Sequence, residues 1–250
     1  MQDGRSVGFL NGFAAPFGAM RTLLGMPRSW PFALVPALVF LLLEAAFVGL
    51  SWEFLKPWAA TQAGSASWVP HWLGSSAGVL SVLLAAACGW FAAALLAPAL
   101  SAPALERLVG QVETQLAAPP REPLGFFAEL GCGVRSLLLG LGLTLPLVVG
   151  LTLLEIFVPP LATVTTPLKL LLGALGVAWG LFDYPLTLRG VRASERARFM
   201  LQHFSVVLGF GIAFTLVFWL PCFGILMLPV GVVAATRLYW QIRAPELSSR

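Results

Sequence analysis

A glutamate inside an apolar run raises the first chemical question about this sequence. Glu44 falls within the segment from Pro31 to Ser51, which carries no other charge. In the middle of a bilayer an ionised carboxylate costs at least ~2.5 kcal/mol unless it is paired or faces a cavity. Glu44 therefore reads as a pathway or gating residue, able to couple a proton or cation to the passage of a solute. The structural alternative is a carboxyl carried neutral, or one close enough to the outer end of its helix to reach water. Just upstream, Pro27-Arg28-Ser29-Trp30-Pro31 opens the same run. Ser29 is suited to N-cap the helix and Pro31 to its first turn, which leaves free backbone N–H groups directed at the cytoplasm. There the helix dipole and the Arg28 guanidinium would both favour an oxyanion, making Pro27, Arg28, Ser29 and Trp30 a candidate binding segment. In the plainer reading, Arg28 anchors the helix to lipid phosphate and Trp30 sits in the interfacial aromatic belt. A third group joins Asp183 to Arg189, Arg192, Arg196 and Arg198. It reads as an Asp–Arg brace, with Asp183 and Arg189 foremost, or as a vestibule that gathers anions.

Other patterns that could suggest catalysis do not hold together. Gly74-Ser75-Ser76-Ala77-Gly78 matches Gly-x-Ser-x-Gly, but it opens an apolar helix instead of joining a strand to a helix. A serine–histidine pair would need His71 or His203, which fall on opposite predicted sides of the membrane, with only His71 on the side of Ser76. Cys88, Cys132 and Cys222 are far apart in apolar segments and support neither a disulfide framework nor a metal site. No Walker A segment, dinucleotide fingerprint or haem motif is present. The expectation is a protein without enzymatic activity, cofactor or metal.

The elements that must position these residues are membrane helices. Hydrophobic residues make up 58% of the 250 positions and charged ones 10%, too few charges for an ordinary soluble domain. Six apolar segments are predicted: Pro31 to Ser51, Ser75 to Leu100, Ser136 to Val158, Pro167 to Phe182, Phe204 to Trp219, and Phe223 to Tyr239. Of the 15 Lys and Arg residues, only Lys56 and Lys169 follow the first and third segments, so those two loops face out and both termini face the cytoplasm. No basic run suggests nucleic acid, and the net charge of +4 reports orientation instead. The last two segments are short, and the uncharged Pro221-Cys222-Phe223-Gly224 break between them predicts a re-entrant hairpin. Such a turn is tolerable at membrane depth only where protein or a water-filled cavity meets its backbone groups, so Pro221 and Gly224 are candidate pathway residues. The third and fourth segments fit either full crossings or a second half-hairpin. Gly173, Gly176 and Gly180 would let another helix approach closely. Two amphipathic stretches, Phe9 to Leu24 and Leu105 to Leu116, are expected to lie along the cytoplasmic surface.

Three blocks then resemble a known family. The first is Gly12-Phe13, Pro16-Phe17, Leu23-Leu24, Pro27-Arg28, Trp30-Pro31 and Pro36; the second is Ala97-Pro98, Pro103 and Glu106-Arg107. The third is Asp183-Tyr184-Pro185, Phe210-Gly211, Pro221, Pro229 and Ala235-Thr236. Together they resemble the family of the CysZ sulfate-uptake proteins and the etoposide-induced membrane proteins. The resemblance implies long spanning helices combined with half-penetrating hairpins, assembly into oligomers, and a role in sulfate entry. In CysZ a Gly-x-Arg-Arg group implicated in sulfate binding follows the proline before the first spanning helix. Here those positions are Arg28, Ser29, Trp30 and Pro31, and the asparagine usual in the last hairpin turn is Gly224. The expected architecture is thus an all-α integral membrane protein of long transmembrane helices, one or two half-spanning re-entrant hairpins and interfacial amphipathic helices. Residues 1–250 are expected to form a single multi-pass domain in a bacterial inner membrane. The expected function is that of a permease or channel-like transporter for a small solute, foremost an inorganic oxyanion such as sulfate, working as a homo-oligomer in the lipid bilayer without nucleic acid. The alternative is an oligomeric membrane scaffold that moves nothing.

Overall fold

The computed structural model of the chain describes residues 8–65, 71–119, 125–218 and 223–248. Among these every regular element is helical. They are α1 (Phe9–Leu24), α2 (Trp30–Leu50), α3 (Lys56–Ser65), α4 (His71–Leu100), α5 (Ala102–Gln115), α6 (Phe126–Phe157), α7 (Ala162–Leu188), α8 (Ala193–Gln202), α9 (Phe204–Phe218) and α10 (Phe223–Ser248). Among the described residues five stretches are long and apolar enough to cross a membrane: Pro27–Gln62, Ser76–Leu100, Leu138–Phe157, Pro159–Leu188 and Phe223–Arg243. At a rise of about 1.5 Å per residue each reaches the roughly 30 Å of hydrocarbon. The protein is an all-α, multi-pass membrane protein.

The chain forms two compact units, residues 36–98 and the remainder. In the smaller unit α2 does not stop at Ser51. It passes through a π-turn at Ser51–Leu55 into α3, where Lys56 Nζ lies 3.5 Å above the Trp52 ring. A lysine and tryptophans beside a spanning helix suit the membrane interface. Phe40 meets Trp90 edge-on at 4.7 Å between ring centres.

The larger unit is built around α10, whose Val232, Val233 and Ala235 have no exposed surface. Phe182, Phe210 and Phe214 pack beside them as a stack of tilted rings, 5.0 and 4.8 Å apart between centres. Close approach of α9 to α1 depends on Gly12 and Gly209. A Cβ at Gly12 would lie 2.1 Å from the Val206 carbonyl oxygen, and one at Gly209 would lie 2.3 Å from that of Phe9. On its other side α9 presents Gly211, where a Cβ would lie 2.2 Å from the Ala174 oxygen of α7.

Several expectations are corrected here. Only Gly176 of the three α7 glycines faces a neighbour, Thr144; Gly173 and Gly180 have open space among the described residues. The last two apolar segments are not equally short. Helix α9, with 15 residues, spans only about 22 Å, but α10 has 26 and continues past Tyr239. The end of its apolar run was not the end of the helix, because Trp240 to Arg243 contains no breaker. A sharp bend lies earlier as well, where α8 and α9 meet at 93° around His203; the expected turn at Pro221 to Gly224 falls largely outside the described residues. Residues 136–182 form two long helices, α6 and α7, each long enough for a full crossing. Finally, the apolar face of α5 is turned into protein instead of toward lipid, with Leu105, Leu108, Val109 and Val112 at most 1% exposed. By contrast α1 leaves Phe9, Phe17 and Leu24 exposed, as an interfacial helix should.

Candidate functional site

The entry to α2 is organised differently from a simple capped helix. Pro27–Ser29 forms a 3-10 turn, in which the N–H of Ser29 donates to Met26 and that of Trp30 to Pro27. Ser29 is fully buried, and its hydroxyl donates to Gln111 Oε1 on α5 instead of capping the helix. Trp30 Nε1 donates to the Leu23 carbonyl at 3.0 Å. These donors are committed, which leaves the exposed Arg28 guanidinium as the part of this segment open to an anion. Gln111 is the partner that sequence reasoning missed; its place on the polar side of an amphipathic helix was the available signal.

Glu44 lies on α2 in the smaller unit and faces α4. A Cβ at Gly89 would come within 3.2 Å of Glu44 Oε2 and 2.8 Å of the Phe47 Cβ. That carboxylate oxygen is buried and has no hydrogen-bond partner among the described residues. A polar atom left in this state at membrane depth needs a proton, a water or a solute for company.

Asp183 is buried at the cytoplasmic end predicted for α7, but Arg189 is not its partner. The carboxylate accepts from Arg196 Nη1 on α8 and from Thr187 Oγ1 at 3.2 Å, while Arg196 Nε also donates to the Val191 carbonyl at 2.7 Å. Arg196 closes the loop between α7 and α8, which explains why it outcompetes a residue on Asp183's own helix. Arg189 turns to α5 instead: its Nε donates to Glu113 Oε1 at 3.0 Å, an Nη donates to the Pro119 carbonyl at 2.9 Å, and its plane lies 4.6 Å over Trp240. Both residues brace the unit, one tying α7 to α8, the other tying α7 to α5 and α10. Arg237 completes the layer by donating to the Gly18 carbonyl at 2.7 Å and to Thr22 of α1.

At the opposite end of the α6–α7 pair, Lys169 Nζ donates to Glu155 Oε2 at 2.5 Å, while Thr165 donates to the other oxygen. This clamp holds the two helices together across the short Pro159–Leu161 turn. Pro221 lies outside the described residues. Gly224 is the second residue of α10, and a Cβ there would sit 3.5 Å from the Phe218 ring of α9, so the start of α10 lies close to the end of α9. Ser76 sits within α4, with no strand-to-helix turn around it. Among the described residues no three His, Cys, Asp or Glu side chains converge as metal ligands would.

A family model described as sulfate transporter CysZ/etoposide-induced protein 2.4 matches residues 15–229, a stretch that contains Arg28, Glu44, Asp183, Arg189 and Gly224. A sulfate transporter CysZ of Pseudomonas fluorescens (strain Pf0-1) is 29% identical over 216 residues, which is 84% of each chain.

Proposed function

The chain belongs to the family of sulfate transporter CysZ and etoposide-induced protein 2.4, and on that footing we propose that it is a non-enzymatic permease or channel-like transporter of a small inorganic oxyanion, sulfate first among them. The family match along most of the chain carries this reading. Support comes from the Glu44 oxygen that has no partner among the described residues inside a spanning helix, and from the closeness of Gly224 on α10 to Phe218 on α9, both of which suit a lined path better than a closed apolar bundle. In this reading residues 1–250 act as one functional domain. Several copies assemble in a bacterial inner membrane.

Radiolabelled sulfate uptake into proteoliposomes tests the proposal. Uptake should exceed that of protein-free vesicles, and Gly224→Trp should abolish it while leaving insertion intact, because the indole would have to displace Phe218. Absence of uptake of any inorganic oxyanion, with the protein correctly inserted, would favour the scaffold. Glu44→Gln should alter the pH dependence of uptake; an unchanged profile, with normal expression, would reduce Glu44 to a tolerated structural residue.

In the proposed orientation both termini and the stretch from Arg107 in α5 to Arg135 near the start of α6 are cytoplasmic, because the arginines all fall on one predicted side. A cysteine introduced at the exposed Gln62 should react with an impermeant thiol reagent applied from outside. Labelling only from the cytoplasmic side would reverse the topology.

A further inference from the structure

We propose that the hydroxyl of Thr215 on α9 faces the solute path and donates a hydrogen bond to the passing oxyanion. Helix α9 is apolar along its 15 residues apart from Ser205 and Thr215. Thr215 Oγ1 is buried and has no hydrogen-bond partner among the described residues. A helical threonine can meet this need within its own helix, by donating to the carbonyl four residues back. Thr22, Thr114 and Thr144 do so, each to a glycine, at 3.0, 2.8 and 2.8 Å. Thr215 also has a glycine four residues back, Gly211, yet its hydroxyl does not use that acceptor.

Residues four apart share a helix face, so Thr215 lies one turn beyond Gly211, where α9 touches Ala174 of α7. Three residues further on, Phe218 packs near Gly224 at the start of α10. Thr215 therefore sits between the α7 contact and the α10 contact of a helix too short to cross the bilayer. A hydroxyl buried at membrane depth must be met by trapped water or by a solute, since lipid tails offer it neither donor nor acceptor. Either occupant implies a polar space beside Thr215. A neutral donor there suits an anion that has to be held weakly enough to leave again. The inference rests on the transporter reading and adds to it a solute-contacting residue on a helix that carries no charge.

The test is radiolabelled sulfate uptake by the full-length protein in proteoliposomes over a range of sulfate concentrations, with thermal unfolding in detergent measured beside it. Thr215→Val keeps the side-chain shape and removes the hydroxyl, so it should raise the half-saturating sulfate concentration about tenfold, as for loss of a hydrogen bond to a charged group. Its unfolding temperature should stay level or rise, because no protein group loses a partner. Thr215→Ser keeps the hydroxyl and should leave half-saturation within about twofold of the parent. Thr144→Val deletes a hydroxyl already bonded to its own helix and should leave half-saturation unchanged. Three results would each overturn the assignment while the transporter reading stands: parental half-saturation in the valine variant, equal loss in the serine and valine variants, or a lowered unfolding temperature in the valine variant. Failure of the parent protein to take up any inorganic oxyanion would overturn both.

Discussion

Asp183→Ala should unfold the larger unit at markedly lower temperature, with a loss of about 3–5 kcal/mol, the usual cost of removing one member of a buried ion pair. Asp183 is 2% exposed and Arg196 is 9% exposed. Removing the carboxylate leaves a buried guanidinium with the Val191 carbonyl as its remaining acceptor among the described residues. The expense lies in the stranded charge, not in the lost attraction, so a second substitution separates the two. Asp183→Leu combined with Arg196→Met should recover a large part of the stability, because neither residue then requires a partner. Thermal unfolding in detergent, read by loss of the monodisperse species, checks both. A single variant as stable as the parent would mean that water reaches Arg196 and that the brace is superficial.

The second large effect belongs to the glycines between α1, α9 and α7. Gly12→Ala, Gly209→Ala and Gly211→Ala each place a methyl group within about 2.1–2.3 Å of a backbone carbonyl oxygen, which cannot rotate aside as a side chain can. The helices must separate, at a cost of about 1–3 kcal/mol per site and more for valine. Gly173→Ala is the matched control, since nothing described lies within 4 Å of its added carbon, and the better helix propensity of alanine should leave it neutral or slightly stabilising. Equal tolerance at Gly173 and Gly211 would refute the close approach of α9 to α7.

Much of the candidate site was legible because single residues announced themselves. Glu44 stood out as a charge in an apolar run, and Arg28 as a cation at a helix entry. What those residues touch was not legible. The Ser29 hydroxyl reaches Gln111, 82 positions away, and Arg189 reaches Glu113 across 76. Spacing along one helix can propose a local partner such as Asp183 with an arginine, but choosing Arg196 over Arg189 requires the direction in which α8 leaves α7.

Composition and charge placement determined the class of this protein: a chain so apolar, with arginines confined to alternate connections, has few physical options other than a bundle of membrane helices. Motif spacing pointed to the family for the same local reason, since prolines, glycines and aromatic residues mark where helices begin, bend and touch. The tertiary structure alone decided which apolar face meets protein and which meets lipid. Leu105, Leu108 and Val112 look as lipophilic in sequence as Phe9 and Phe17, yet the first set is enclosed and the second exposed. In a soluble protein hydrophobicity separates inside from outside. In a bilayer both environments are apolar, so hydrophobicity no longer distinguishes them, and the decision passes to shape: glycines that admit a backbone, rings that fill a gap, and polar groups that must find one another.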